Sequence, residues 1–286
     1  MLFFVMQLMA RLVSRPFICH LDGTVFPSGL EPGHIVELNG EEGTGISQYL
    51  LHLLATAVLP ASVSGVDVGG LSAEVLFIDT KCTFSMLRFV ALLEQRLSDA
   101  LNKSDDVDGP KKSMDAEAED LVEAAVKQCL TRFFFVCCNC SSQLAVTLCS
   151  LESVLVAKPD IRLVLLDDIS AFYHMDFFTN AESHFSLCIS LLKKLVSTRQ
   201  LVVIATRTHI DVAKTGFKRD ASGEVKCSTD SKNTYLSAWY KLRTHQRTFA
   251  KTILQNVFSV TVASTNDDVA EVYFTVFESG IKFVSL

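Results

Sequence analysis

A glycine-rich loop ending in a hydroxyl, with an aspartate closing an apolar strand 120 residues later, supplies the parts of a phosphate site with a divalent cation. Gly40, Glu41, Glu42, Gly43, Thr44, Gly45, Ile46 and Ser47 follow the pattern G-x-x-x-x-G-K-[ST] except that Ile46 stands in the lysine position. Glycines let such a loop turn its N–H groups inward, and the helix that follows adds a fixed positive potential. Ser47 keeps the hydroxyl that holds Mg²⁺, and Asp167, ending "VLLD", sits where a second Mg²⁺-orienting carboxylate belongs. A chance glycine turn does not account for Asp167.

Ile46 limits the chemistry. A lysine there would place a full charge on the β/γ phosphates, a contact of roughly 4 kcal/mol at about 4 Å in an effective dielectric near 20. Backbone donors alone hold ATP and Mg²⁺ weakly, and fast hydrolysis is not expected.

The elements that must position these groups alternate along the chain. "HIVELNG" (34–40) is a strand leading into the loop and "SQYLLHLLATAVL" (47–59) a helix leaving it. "AEVLFID" (73–79), "RFFFVCC" (132–138), "IRLVLLDD" (161–168) and "QLVVIAT" (200–206) are further buried strands. Helical spacing follows three of them, at Met86, Leu87, Val90, Leu93 and Leu97, at Leu144, Leu148, Leu151 and Leu155, and at Cys188, Leu191, Leu192 and Leu195. Strands apolar on both faces and separated by helices predict an α/β fold with a mostly parallel sheet, covered on both sides. "VFSVTVAS" and "EVYFTVF" predict an antiparallel pair added at its edge.

Composition narrows the class. Hydrophobic residues make up 49% of 286, charged residues 20%, and the formal net charge is −6, which argues against a generally basic nucleic-acid coat. No apolar run reaches the 18 or so residues of a membrane span, so no membrane partner is expected. The apolar amino end, "MLFFVMQLMARLVSRPF", reads as a helix packed on the core, with a mitochondrial presequence as the alternative. Nine cysteines, mostly in apolar segments, suit a reducing compartment. The run Cys137, Cys138, Cys140 reads as a buried strand ending in thiols, against a zinc site that lacks both a histidine and C-x₂-C pairs.

Two segments break the alternation. Residues 98–124 carry nine acids against three lysines and read as an exposed acidic loop. Residues 207–251 carry ten basic residues against four acids, +6, while the rest of the chain stands at −12. That concentration follows the end of a strand, the edge where open α/β sheets bind ligands. Arg207, Lys214, Lys218 and Arg219 are the first four basic residues of that stretch.

"LDGTVFPSGLEPGHIVELNGEEGTGISQ" (21–48), "VLFIDTKCTF" (75–84), "LVLLDDISAFY" (163–173) and "FESGI" (277–281) together resemble the ATPase core of RecA-type recombinases, in the form used by eukaryotic strand-exchange proteins. The resemblance runs from about residue 8 to the end. It implies a P-loop core over 31–286 with a short extension over 1–30, and residues 207–251 as a DNA-contacting loop in which Arg207, Lys214, Lys218 and Arg219 are the candidate DNA contacts. In the active recombinases a glutamate ends the "IDT" strand and an Asn-Gln sensor the fifth strand; here Lys81, and Arg207 with Thr208, stand in their places. The resemblance therefore implies a non-catalytic paralogue in homologous-recombination repair. It would act in the nucleus on single-stranded or forked DNA, joining the delta-type paralogue directly and the beta- and gamma-type paralogues through it. The Phe-x-x-Ala docking peptide is missing, so no homo-filament is expected. A slow DNA-dependent ATPase, with Lys81 restoring the charge lost at Ile46, is the alternative.

Overall fold

The computed structural model describes residues 18–105, 116–179, 181–208, 218–219, 225–226, 229–263 and 269–285. The apolar stretch at the amino end, residues 1–17, therefore lies outside the described residues. The central sheet contains β1 (Ile35–Gly40), β2 (Glu74–Asp79), β3 (Phe133–Cys137), β4 (Ile161–Asp167), β5 (Val202–Thr208), β6 (His245–Lys251), β7 (Val257–Ala263), β8 (Val269–Phe277) and β9 (Gly280–Val284). Their order across the sheet is β9-β8-β7-β6-β1-β5-β4-β2-β3. All pairs from β6 to β3 are parallel, and β6 through β9 continue antiparallel. The sheet is thus mostly parallel with an antiparallel extension, as the alternating pattern predicts.

The helices are α1 (Ile46–Val58), α2 (Met86–Asp105), α3 (Ala116–Thr131), α4 (Ser141–Ala157), α5 (Tyr173–Thr179), α6 (Glu182–Arg199) and α7 (Thr229–Leu242). They build one core on each face of the sheet. Leu50, Leu53 and Leu54 of α1 pack with Phe89, Leu92 and Leu93 of α2 on one face. Leu144, Leu148, Leu151 and Leu155 of α4 pack with Cys188, Leu192 and Leu195 of α6 on the other. Strands covered on both faces are mostly apolar along their length, and the site residues lie at their ends. Residues before β1 join the first core: Leu21, Val25, Phe26 and Leu30 are buried in it, and Tyr49 donates to Asp22 across 2.7 Å.

Several local expectations need correction. Met86 and Leu87 are exposed, because the face of α2 that meets the sheet is Phe89, Leu92, Leu93 and Leu97. β3 is the edge strand, so Phe135 and Cys137 are exposed and only Cys138 of the cysteine run is buried. The acidic stretch 98–124 is helical at both ends, over 98–105 in α2 and 116–124 in α3, while 106–115 lie outside the described residues. An apolar stripe of Val122, Ala125, Val126 and Cys129 holds α3 on the core despite its acidic outer face. Residues 207–251 are likewise no continuous loop: α7 and β6 occupy 229–242 and 245–251.

α7 is fixed by a charge inside the sheet. Glu37 of β1 is fully buried and accepts hydrogen bonds from Trp239 Nε1 and, at 2.6 Å, from Arg243. Arg207 Nε of β5 lies 3.1 Å from the same carboxylate, an ion pair whose angle falls short of a hydrogen bond. Both guanidiniums lie over the Tyr240 ring, 5.6 Å and 4.8 Å from its centroid. Removing one partner of such a buried set strands the others. Glu37→Ala is expected to cost roughly 3 to 5 kcal/mol of unfolding free energy in urea titrations.

Candidate nucleotide site

Gly40 closes β1, and the chain turns through Glu41 and Glu42, both exposed, into α1. The turn is made by Thr44, whose hydroxyl donates to the Glu41 carbonyl at 2.7 Å. Gly43 and Gly45 have φ of 76° and 81°, a region in which a side chain would be strained. At Gly40 the crowding is lateral: an added Cβ would stand 2.7 Å from the Phe249 carbonyl and 2.8 Å from Ile46 Cδ1. The loop's shape is thus kept while its charge is not. Ile46, 8% exposed, packs back across the loop as part of the core, where a lysine would reach outward to phosphate.

The far side of the site is built from three parallel strand ends. Asp167 ends β4, 5% exposed. Its Oδ1 accepts a 2.5 Å hydrogen bond from Thr206 of β5, and its Oδ2 lies 3.4 Å from Ser47 Oγ. Loop serine and strand-end aspartate are therefore brought together, as their types and spacing predict. The next residue, Asp168, is also buried, and the peptide between the two is cis. Asp168 accepts from Ser170 N and Oγ at 2.7 and 2.8 Å and from Thr208 N at 3.0 Å.

Lys81 lies between these acids. Its Nζ is 3.2 Å from Asp167 Oδ1 and 3.7 Å from Asp168 Oδ2. Its backbone N–H is 3.0 Å from Asp79 Oδ1 and 3.2 Å from the Asp167 carbonyl, so the side chain leaves from a pinned position. Asp79 also takes the N–H groups of Cys82 and Phe84, which folds the chain after β2 into a tight turn. Mg²⁺ demands oxygen ligands in near-octahedral array at about 2.0 to 2.1 Å. An ammonium within ion-pair distance of both carboxylates does not fit that demand, and Ile46 does not fit the phosphates. The residues present therefore match neither half of Mg-ATP. Lys251 rests on the other flank, its Nζ 3.0 Å from where a Gly43 Cβ would stand.

The candidate DNA residues divide differently. Arg207 is 6% exposed and bound up with Glu37, so it belongs to the core and not to a DNA-facing surface. Lys214 lies outside the described residues. Lys218 and Arg219 form a two-residue strand paired with Val225 and Lys226. The zinc alternative finds no support, since no cluster of three or more metal-binding side chains occurs among the described residues. Cys82 and Cys137 instead face each other at 3.2 Å between sulfurs. Mutual hydrogen bonding pushes the Cys137 thiol up to about 11. No helix is long and apolar enough to cross a membrane among the described residues.

Sequence reasoning missed Asp79, Asp168, Thr206 and the role of Glu37. The signal was present for three of them, as polar residues ending the apolar runs "LFID", "VLLDD" and "VVIAT".

A P-loop between the first strand and helix, a second acid at a strand end, and this strand order define a RecA-type ATPase core of the Rad51 class. The sequence model of the Rad51 family matches residues 19–144. The chain is 32% identical to the mouse "DNA repair protein XRCC2", over 97% of this chain and 95% of that protein. It is 28% identical to the Arabidopsis thaliana "DNA repair protein XRCC2 homolog", over 63% of this chain and 56% of that protein. A mouse "DNA repair protein RAD51 homolog 2" is 26% identical over 68% of this chain. The chain belongs to the XRCC2 family of Rad51-type proteins.

Lys81 is 28% exposed, so water screens part of its charge. Lys81→Met, which leaves the two aspartates facing each other uncompensated, is expected to lower stability by roughly 1 to 3 kcal/mol. Urea titration at low and high salt checks it, with the larger loss at low salt.

Proposed function

We propose that this chain serves DNA repair by homologous recombination as a non-catalytic subunit, working in the nucleus. It binds sister recombinase paralogues, the delta-type directly and the beta- and gamma-type through it, and promotes assembly of strand-exchange filaments. The observation that carries the reading is the engagement of Lys81 by Asp167 and Asp168 at the place of the general base and the metal. Removal of a general base alone typically lowers a rate by about 10² to 10⁴. Here the loop lysine is absent as well, and the γ-phosphate sensor is replaced by Arg207 and Thr208. The geometry also speaks against the slow-ATPase alternative. Lys81 is tied to two aspartates, 3.2 and 3.7 Å away, and is not left free to replace the missing loop lysine.

Partner binding gains support from the edge at β3, unpaired among the described residues, where Phe135 is 40% exposed. An edge strand with an exposed aromatic suits addition of a partner's extended peptide. Co-expression with a delta-type paralogue is expected to yield a one-to-one pair by chromatography with light scattering. The purified chain alone is expected to turn over ATP at background, with or without single-stranded DNA. A monomer that ignores the paralogue, a regular homopolymer, or ATP turnover abolished by Asp167→Asn would overturn the reading.

DNA binding rests on fewer residues than the basic excess of 207–251 suggests. Arg207 and Arg247 are buried and Arg243 is bound to Glu37, which leaves seven of the ten basic residues; of the four candidates, Lys214, Lys218 and Arg219 remain as the contacts of the proposal. Weak, salt-sensitive binding to single-stranded or forked DNA is expected. Replacing those three by alanine is expected to flatten the dependence of log K on log salt by up to about 2 in slope, at roughly 0.7 per lost phosphate contact. An unchanged slope would remove residues 214–219 from the interface.

A further inference from the structure

Lys81 occupies the place a divalent cation would need. Asp167 Oδ2 lies 3.4 Å from the Ser47 hydroxyl, and the buried Asp167 and Asp168 share the Lys81 ammonium at 3.2 and 3.7 Å. A buried carboxylate is satisfied by a proton, a metal, a fixed cation or hydrogen bonds alone, the last being the case for Asp79 and Asp176. For Asp167 and Asp168 the chain supplies the third. The backbone of Lys81 is held by Asp79 and by the Asp167 carbonyl, so the ammonium is delivered from the floor of the site. A dication entering among the same oxygens would meet a fixed positive charge at ion-pair distance from both carboxylates.

We propose that the Lys81 ammonium is the resident cation of this site, substituting for Mg²⁺ and closing Asp167 and Asp168 to divalent metal. The strand ends of β2, β4 and β5 are then held together by Lys81, Thr80 and Thr206 without any ligand. Thr80 contributes by exchanging hydrogen bonds with the Asp168 backbone, 2.6 Å to both its N–H and its carbonyl. The reading agrees with a non-catalytic subunit and deepens it: the site keeps one conformation whatever the nucleotide or metal concentration. It rests on the degenerate-site reading, but its test involves neither partner, DNA nor ATP turnover.

The probe is Mn²⁺ alone, followed by electron paramagnetic resonance of the free ion against the full-length chain. Wild type is expected to take up no more Mn²⁺ than Asp167→Asn. Lys81→Gln and Lys81→Ala, checked for folding by circular dichroism, are expected to gain Mn²⁺ binding. The gain should be roughly ten- to a hundredfold, the range over which groups around a metal site change its affinity. Adding Asp167→Asn to either should abolish it. In parallel, Mg²⁺ should raise the melting temperature of the Lys81 variants over EDTA and leave wild type unmoved. Mn²⁺ uptake by wild type that Asp167→Asn removes would overturn the proposal, and so would folded Lys81 variants that gain none. Where the variants fail to fold, the comparison of wild type with Asp167→Asn decides by itself.

Discussion

A carboxylate in the middle of a parallel sheet covered on both faces has no water to turn to, and Glu37 sets terms for everything around it. Its two oxygens take Trp239 of α7, Arg243 just after it, and Arg207 of the neighbouring β5. A buried ion pair rarely adds much net stability, because desolvating the charges offsets their attraction. What it does here is specify an arrangement. α7 cannot shift along the sheet without stranding Glu37, and β5 cannot change its register with β1 without moving Arg207 off it. The strand ends that carry Thr206 and Thr208 are thereby set beside Asp167 and Asp168, so the position of the candidate site follows from a charge one layer below it.

The same rule recurs at the strand ends. Asp167 and Asp168 are buried acids facing the loop, and Lys81 neutralises them in part while threonine and serine hydroxyls and backbone N–H groups take up the remaining lone pairs. Both clusters therefore spend their arginine or lysine inward. This is why a count of basic residues overstates the surface open to an anion: over 207–251, Arg207, Arg243 and Arg247 answer to Glu37, Tyr240 and the carbonyl of Val25 before any external ligand.

Much of the fold was legible because its signals are local and strong. Apolar runs on both faces of β2, β4 and β5 admit no assignment but buried parallel strands, and Leu144, Leu148, Leu151 and Leu155 mark a helix face that is in fact buried. The edge position of β3 was not legible, since "RFFFVC" is as apolar as a central strand; its exposed Phe135 belongs to an unpaired edge. The helical ends of the acidic stretch 98–124 were hidden for the converse reason. Charge dominates the composition there, and the narrow stripe Val122, Ala125, Val126, Cys129 is easily outvoted in a count. At the site, Ser47 and Asp167 were legible from spacing, whereas the pairing of Lys81 with two acids is long-range, across 86 and 87 residues. Arg207 was misread because a basic residue after an apolar strand gives no sign in the sequence of the buried carboxylate on the neighbouring strand.

The departures from a working nucleotide site are physically coupled. An acid at position 81 would place three carboxylates around one point, which only a divalent cation satisfies; a lysine there lets the two aspartates close without one. Position 46 is a core position at the start of α1. Isoleucine then gains by burial, on the order of 2 kcal/mol for a side chain of its size, and contacts Gly40 in the space a phosphate-binding lysine leaves clear. Restoring Ile46 to lysine alone would put a second ammonium near Lys81 with no phosphate to separate them. Restoring Lys81 to glutamate alone would open a metal site beneath an apolar loop. The loop serves as architecture, joining β1 to α1 through its glycines and the buried Ile46.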